Sequence, residues 1–151
     1  YAMTGWRVGY VAANPEISAA IRKVHQYIIM SAPTMGQAGA LEGLLRAELA
    51  VQDMVRQYDQ RRQVIVAGLN QIGLPTFEPR GAFYAFPDIR PTGLSSEQFC
   101  EKLLNDEHVA VIPGSAFGAS GEGFVRACYA ASMANIEEAL TRVERFVKKQ
   151  K

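Results

Sequence analysis

The chain has 151 residues, 48% of them hydrophobic and 21% charged, with a formal net charge of +1. This is ordinary globular composition, enough for one domain or for one domain with part of another, and the balanced charge gives no case for nucleic acid or an anionic membrane as partner. No apolar run nears the ~18 residues that cross a bilayer, and the N-terminus lacks the sectors of a signal peptide, so a cytoplasmic protein is expected.

In chain order, Trp6 to Ala12 is short, apolar and aromatic and predicts a buried strand. Asn14-Pro15-Glu16 predicts a helix start: Asn14 can cap it, Pro15 suits the first helical position, and Glu16 complements the positive end. Ile17, Ile21, Val24 and Ile28 form one apolar stripe, and that helix is expected to end near Met30. A second helical region begins near Thr34, where Gly36, Gly39 and Gly43 weaken the helix locally and leave room for close helix packing. From Val51 to Ile72 a long amphipathic pattern runs to Gly73 and Pro75, with a bend or break expected near residue 50.

The texture then changes to short alternating elements. Thr76 to Glu78 and Ala82 to Pro87 predict two strands joined through Pro79-Arg80-Gly81. Ser95-Ser96-Glu97-Gln98 is a capping-box pattern opening a helix to about Asn105. Val109 to Ile112 predicts a strand, Pro113 to Gly118 a glycine-bearing loop, and Phe124 to Ala130 another strand. Ser132 then caps a final helix with Ile136, Leu140, Val143 and Val147 on one face and lysines at its negative end. The order is α+β, with a mixed or antiparallel sheet covered by helices on one side. A boundary near residue 50 divides the chain into 1–50 and 51–151. Tyr10, Tyr27, Tyr58 and Tyr129 read as core or interface aromatics.

Two arginines could carry chemistry. The guanidinium of Arg7 is permanently charged and offers a planar fork of donors that suits phosphate oxygens, or equally a neighbouring carboxylate. Arg126 lies among Phe124, Val125, Ala127, Cys128 and Tyr129, where a charge is costly unless paired. It therefore suits either a carboxylate receptor or an internal salt bridge. Cys100 and Cys128 have no metal-binding or redox spacing and are expected to be buried small apolar residues, with no metal bound. His25 and His108 lack partners at catalytic spacing and read as structural or solvated.

The segment Tyr1-Ala-Met-Thr-Gly-Trp-Arg-Val-Gly-Tyr10 resembles the run after the Schiff-base lysine in fold-type I, class I/II aminotransferases that use pyridoxal phosphate. That run reads roughly Ser-Lys-x-Tyr-Ala-Met-x-Gly-Trp-Arg-x-Gly-Tyr. Gly81-Ala-Phe-Tyr-Ala-Phe-Pro87 and Val111-Ile-Pro-Gly-Ser-Ala-Phe-Gly118 resemble later segments of the same aspartate aminotransferase-like family, in family order. The resemblance implies the C-terminal part of such an enzyme. Residues 1–50 would be the end of the large cofactor-binding domain and residues 51–151 the small domain.

It further implies that Arg7 holds the cofactor phosphate, that Arg126 grips the substrate α-carboxylate, and that Phe83 or Tyr84 lines the pocket. The full-length enzyme would be a homodimer moving an amino group from an amino acid to a 2-oxo acid. The same fold type also hosts carbon–sulfur lyases and ligand-sensing domains of transcription regulators, and both stay open at this point. The lysine is expected two residues upstream of Tyr1. The 151-residue chain assayed alone with pyridoxal phosphate, an amino acid and a 2-oxo acid is therefore expected to show no turnover, and measurable product would overturn that expectation.

Overall fold

Residues 1–150 are described by a computed structural model. Local signals in the sequence set most helix ends. Asn14 Oδ1 accepts a hydrogen bond from the Ile17 amide at 2.9 Å and opens helix α1, Pro15–Ile28, with Pro15 in the first turn. Helix α2, Thr34–Arg46, ends where the Ala47 amide donates to the Gly43 carbonyl at 3.1 Å. Helix α3, Glu48–Ile72, follows at once, so the expected break near residue 50 falls at Ala47. The chain divides into two compact units, Tyr1–Met54 and a second beginning at Val55, and the division falls inside α3.

The first unit contains no strand among its described residues. The segment from Trp6 to Ala12, expected as a strand, instead begins in a short 3-10 turn at Thr4–Trp6 and continues as irregular chain, with Trp6 half exposed. A strand needs a neighbour for its backbone groups, and this unit offers none. The glycines of α2 do allow close packing, but of this segment and not of another helix. A Cβ on Gly36 would overlap the Val8 side chain, and one on Gly39 would crowd Met3 and the Trp6 ring at 3.2–3.4 Å. The stripe of α1 lies open, with Ile17, Ile21, Val24 and Ile28 between 40% and 77% exposed. Tyr10 and Tyr27 are likewise on the surface and not in a core.

In the second unit α3 ends at Gly73, whose φ of 92° only glycine adopts readily. The Leu74 amide then closes the turn onto the Leu69 carbonyl at 3.0 Å. Ser95 and Gln98 form the reciprocal capping box of helix α4, Ser96–Glu107. Ser132 Oγ accepts from the Asn135 amide at 3.2 Å ahead of helix α5, Met133–Gln150.

The strands are β1, Tyr84–Ala85; β2, Ile112–Pro113; and β3, Val125–Cys128, in the antiparallel order β1-β3-β2. They are shorter than the sequence patterns suggest. Thr76 reaches Pro87 only through an isolated bridge, and Pro87 and Pro113 have no amide to extend a ladder.

The core of this unit joins Ile65 and Leu69 of α3, Ala85, Phe99 and Leu103 of α4, Val125, and Phe146 and Val147 of α5. Phe99 and Phe146 meet edge to face at 5.2 Å. Each fully buried side chain of this size contributes about 1.5–3 kcal/mol of transfer free energy. Tyr129, buried, spends its hydroxyl on the Ala82 carbonyl at 3.0 Å. Cys100 is half-buried, and burial pushes its thiol up to about 11. Cys128, expected inside, is exposed, because it shares the outward parity of Arg126 on β3, and the Ala130 amide donates to its Sγ at 3.4 Å.

Glu107 is the buried charge among the described residues of the unit. It ends α4, where the helix dipole disfavours a carboxylate, and three groups of α5 compensate. Arg145 and Lys149 bond its carboxylate, Lys149 at 2.9 Å, and Arg142 bonds its carbonyl at 3.1 Å. Arg145 first and Lys149 second hold the Glu107 carboxyl at about 2. Since an unfolded glutamate titrates near ~4.3, the stability these pairs add is complete above that value and is lost as pH falls from about 5 toward 2. Asp59, lowered by Arg62, and Asp88, lowered by Arg90, add to the same acid limb.

Denaturant titrations from pH 7 to pH 2.5 are expected to show this decline. Glu107→Gln should be less stable at pH 7 and decline less steeply in acid; an unchanged slope would assign the limb to other carboxylates.

The loop after β2 is fixed by backbone proximity. A Cβ on Gly114 would strike the Gly121 carbonyl oxygen and come within 2.7 Å of the Phe124 carbonyl oxygen. Gly114→Ala is expected to cost about 1–3 kcal/mol, read from the denaturation midpoint, as overpacking does.

Candidate active site

Strand β3 alternates between two faces. Val125 points into the core and is 1% exposed, so Arg126 points to the opposite face. On that face two aromatic rings receive it. The guanidinium carbon lies 4.3 Å from the Tyr84 ring centre and 4.6 Å from the Phe117 ring centre. The register explains the first contact. Tyr84 pairs with Cys128 across β1 and β3, which makes it a diagonal neighbour of Arg126 within reach of a long side chain. Phe117 arrives from the 3-10 turn Gly114–Phe117 that follows β2, and β2 pairs Ile112 with Arg126.

The electrostatics of this arrangement set Arg126 apart. Among the described residues no salt bridge involves it, and its Nε is buried with no hydrogen-bond partner. Arg62, Arg90, Arg142 and Arg145 each bond a carboxylate of the chain. Each cation–π contact is worth about 0.5–2 kcal/mol, less than the hydration that burial removes from a bare charge. The group is thus poised for an anion, and its planar fork suits a carboxylate approaching in plane.

The neighbouring rings are themselves buttressed. Phe83 meets Tyr84 at 4.6 Å with the rings tilted by 48°, and stacks on Tyr58 at 6.0 Å. It therefore belongs with the aromatic cluster at the core edge, whereas Tyr84 sits on Arg126. Phe86 packs at 6.2 Å on Phe117 and at 5.8 Å on Phe124. Phe117 is the residue that sequence reading left out of the site. Its loop was legible as a backbone-shaping turn, and an aromatic ending such a turn beside the strand partner of Arg126 is the signal that could have found it.

Arg7 lies in the first unit, at a φ of 55°, exposed, with Nη1 donating to the Thr4 carbonyl at 3.1 Å. No salt bridge among the described residues engages it. A Cβ on Gly5 or Gly9, on either side of Arg7, would meet nothing within 4 Å among the described residues. The described residues hold no group of three or more His, Cys, Asp or Glu that could bind a metal ion, and no helix long and apolar enough to cross a membrane.

The chain is 44% identical over its full length to the aspartate aminotransferase of Pyrococcus abyssi and 42% identical to aromatic-amino-acid aminotransferase 2 of Thermococcus litoralis, spanning 39% of each relative. Among solved structures, the aromatic aminotransferase of Pyrococcus horikoshii superposes with a TM-score of 0.92 at 46% identity, over 99% of this chain and 40% of that one. The Thermus thermophilus aspartate aminotransferase with maleate gives 0.85 at 37% identity, over 95% of this chain and 38% of that one. The family profile described as aminotransferase class I and II matches residues 1–143, a span that contains Arg7, Tyr84, Phe117 and Arg126, and the chain belongs to that family.

Proposed function

We propose that the full-length protein carrying this chain transfers an amino group from an amino acid to a 2-oxo acid with pyridoxal phosphate as cofactor. The observation that carries the reading is Arg126, a guanidinium held against two rings with no carboxylate partner among the described residues, in a member of this family. Every substrate of such a reaction has an α-carboxylate, and Arg126 would bind it bidentately. The charge of arginine does not titrate near neutral pH, so this residue binds and orients and moves no proton. Tyr84 and Phe117 lie against the guanidinium and replace part of the water around it, which strengthens its pull on an anion.

The residues present also fit the phosphate end of the cofactor. Arg7 is exposed and has no carboxylate partner among the described residues, and a Cβ on Gly5 or Gly9 would meet nothing within 4 Å. It would hold the phosphate dianion by charge-assisted hydrogen bonds. When bound, the cofactor supplies the electron sink for chemistry at the substrate Cα. Within this reading residues 1–50 are the end of the large domain and residues 51–151 the small domain, which the division of contacts after Met54 supports. The reading carries with it a homodimer in the cytoplasm. The relatives named above are aminotransferases, and no feature of the site favours the lyase or the ligand-sensing alternative.

In the full-length protein Arg126→Ala is expected to lower kcat/KM at least ~100-fold, equivalent to about 3 kcal/mol for two charge-assisted hydrogen bonds. Steady-state kinetics with amino acid and 2-oxo acid pairs check this. Wild-type kcat/KM in that variant would remove Arg126 from the site.

A further inference from the structure

We propose that Tyr84 and Phe117 are positioning residues that act as an aromatic clamp on Arg126, restricting the guanidinium before a carboxylate arrives while leaving its donors unused. The inference rests on the reading of Arg126 as the carboxylate receptor and adds what orients it. An arginine side chain has many rotamers, and ordering it on binding costs free energy unless the protein has ordered it already. Four other arginines of the second unit are ordered by carboxylates: Arg62 by Asp59 and Glu78, Arg90 by Asp88, Arg142 by Glu138, and Arg145 by Glu107. A carboxylate at Arg126 would order it too, but it would occupy the fork that the substrate needs.

Rings avoid that competition. They attract the cation through the faces of the rings and accept no hydrogen bond from its donors. The orphaned Nε agrees with this division, because among the described residues no hydrogen bond from that atom fixes the head group, while both rings lie against it. The two rings come from different places, Tyr84 from β1 and Phe117 from the turn after β2, and each leans on a second ring, Phe83 and Phe86 respectively. The clamp is therefore built by the tertiary fold and exists before any ligand arrives, which is the condition for preorganisation.

The test measures the affinity of the full-length holoprotein for maleate, an unreactive dicarboxylate, by calorimetry, together with KM and kcat. Phe117→Leu and Tyr84→Leu are each expected to weaken maleate binding by about 3- to 30-fold, the range of a cation–π contact. Tyr84→Phe and Phe117→Tyr, which keep a ring, should restore it. In an Arg126→Ala background the same leucine substitutions should have no further effect, since a clamp has nothing left to hold.

Phe117 is 52% exposed, so Phe117→Leu leaves the core intact and remains informative if Tyr84→Leu fails to fold. Three results separate the alternatives. Maleate binding unchanged in Arg126→Ala overturns the receptor reading. Binding lost in Arg126→Ala but unchanged in Phe117→Leu overturns the clamp alone. Equal losses from the leucine variants with and without Arg126 would assign the rings a direct contact with the ligand and also overturn the clamp.

Discussion

A one-residue slip of β3 against β1 and β2 would drive Arg126 into the apolar core and turn Val125 and Ala127 toward the aromatic rings. The site and the core of the second unit therefore depend on the same register. Several contacts hold it. The Tyr129 amide donates to the Phe83 carbonyl at 2.9 Å and the Tyr129 hydroxyl to the Ala82 carbonyl at 3.0 Å, which anchors one end of β3 to β1. At the other end the Val125 amide donates to Pro87 and the Gly114 amide to the Phe124 carbonyl. The close backbone approach of Gly114 and Gly121 then sets where Phe117 emerges. Short strands suffice because the ends of β3 are fixed by side chains and turns.

The unit treats its buried and half-buried charges in two ways. Glu107 is neutralised completely: Arg145 and Lys149 engage its carboxylate, and the result is a rigid link between the end of α4 and the last turns of α5. That link has spent its charge and offers nothing to a ligand. Arg126 is half-buried against rings and has no counter-ion among the described residues, so its electrostatic potential is still available. On the proposed reading that difference is functional, since an under-paired charge is a candidate for binding an anion.

The parts legible in the sequence are those governed by a few consecutive residues. Asn14, Ser95 and Ser132 cap their helices through bonds to amides three residues on, and Gly73 stops α3 by its own backbone freedom. Arg126 was legible because a cation in an apolar strand needs a reason. What was not legible depends on partners distant in sequence. The aromatic run at Trp6 has strand composition but no neighbouring strand in its unit, and it settles instead along the glycine face of α2. Phe83 and Tyr84 are adjacent and similar, so only the register with β3 decides which one meets Arg126. Phe117 is brought in by a turn whose composition speaks of backbone shape.

The two units also differ in how far periodicity predicts burial. The stripes of α4 and α5 are buried against each other and against α3, as their spacing requires, with Phe99, Leu103, Phe146 and Val147 all nearly inaccessible. The stripe of α1 is as regular, yet Ile28 is 77% exposed. An amphipathic pattern states that a face should be covered and says nothing of what covers it. In the second unit the cover comes from elements within about ninety residues of chain, as the core from Ile65 to Val147 shows. In the first unit the one described residue that is buried is Gly36, beneath Val8. Burial there is governed by the space a glycine leaves, and hydrophobicity alone is a poor guide to it.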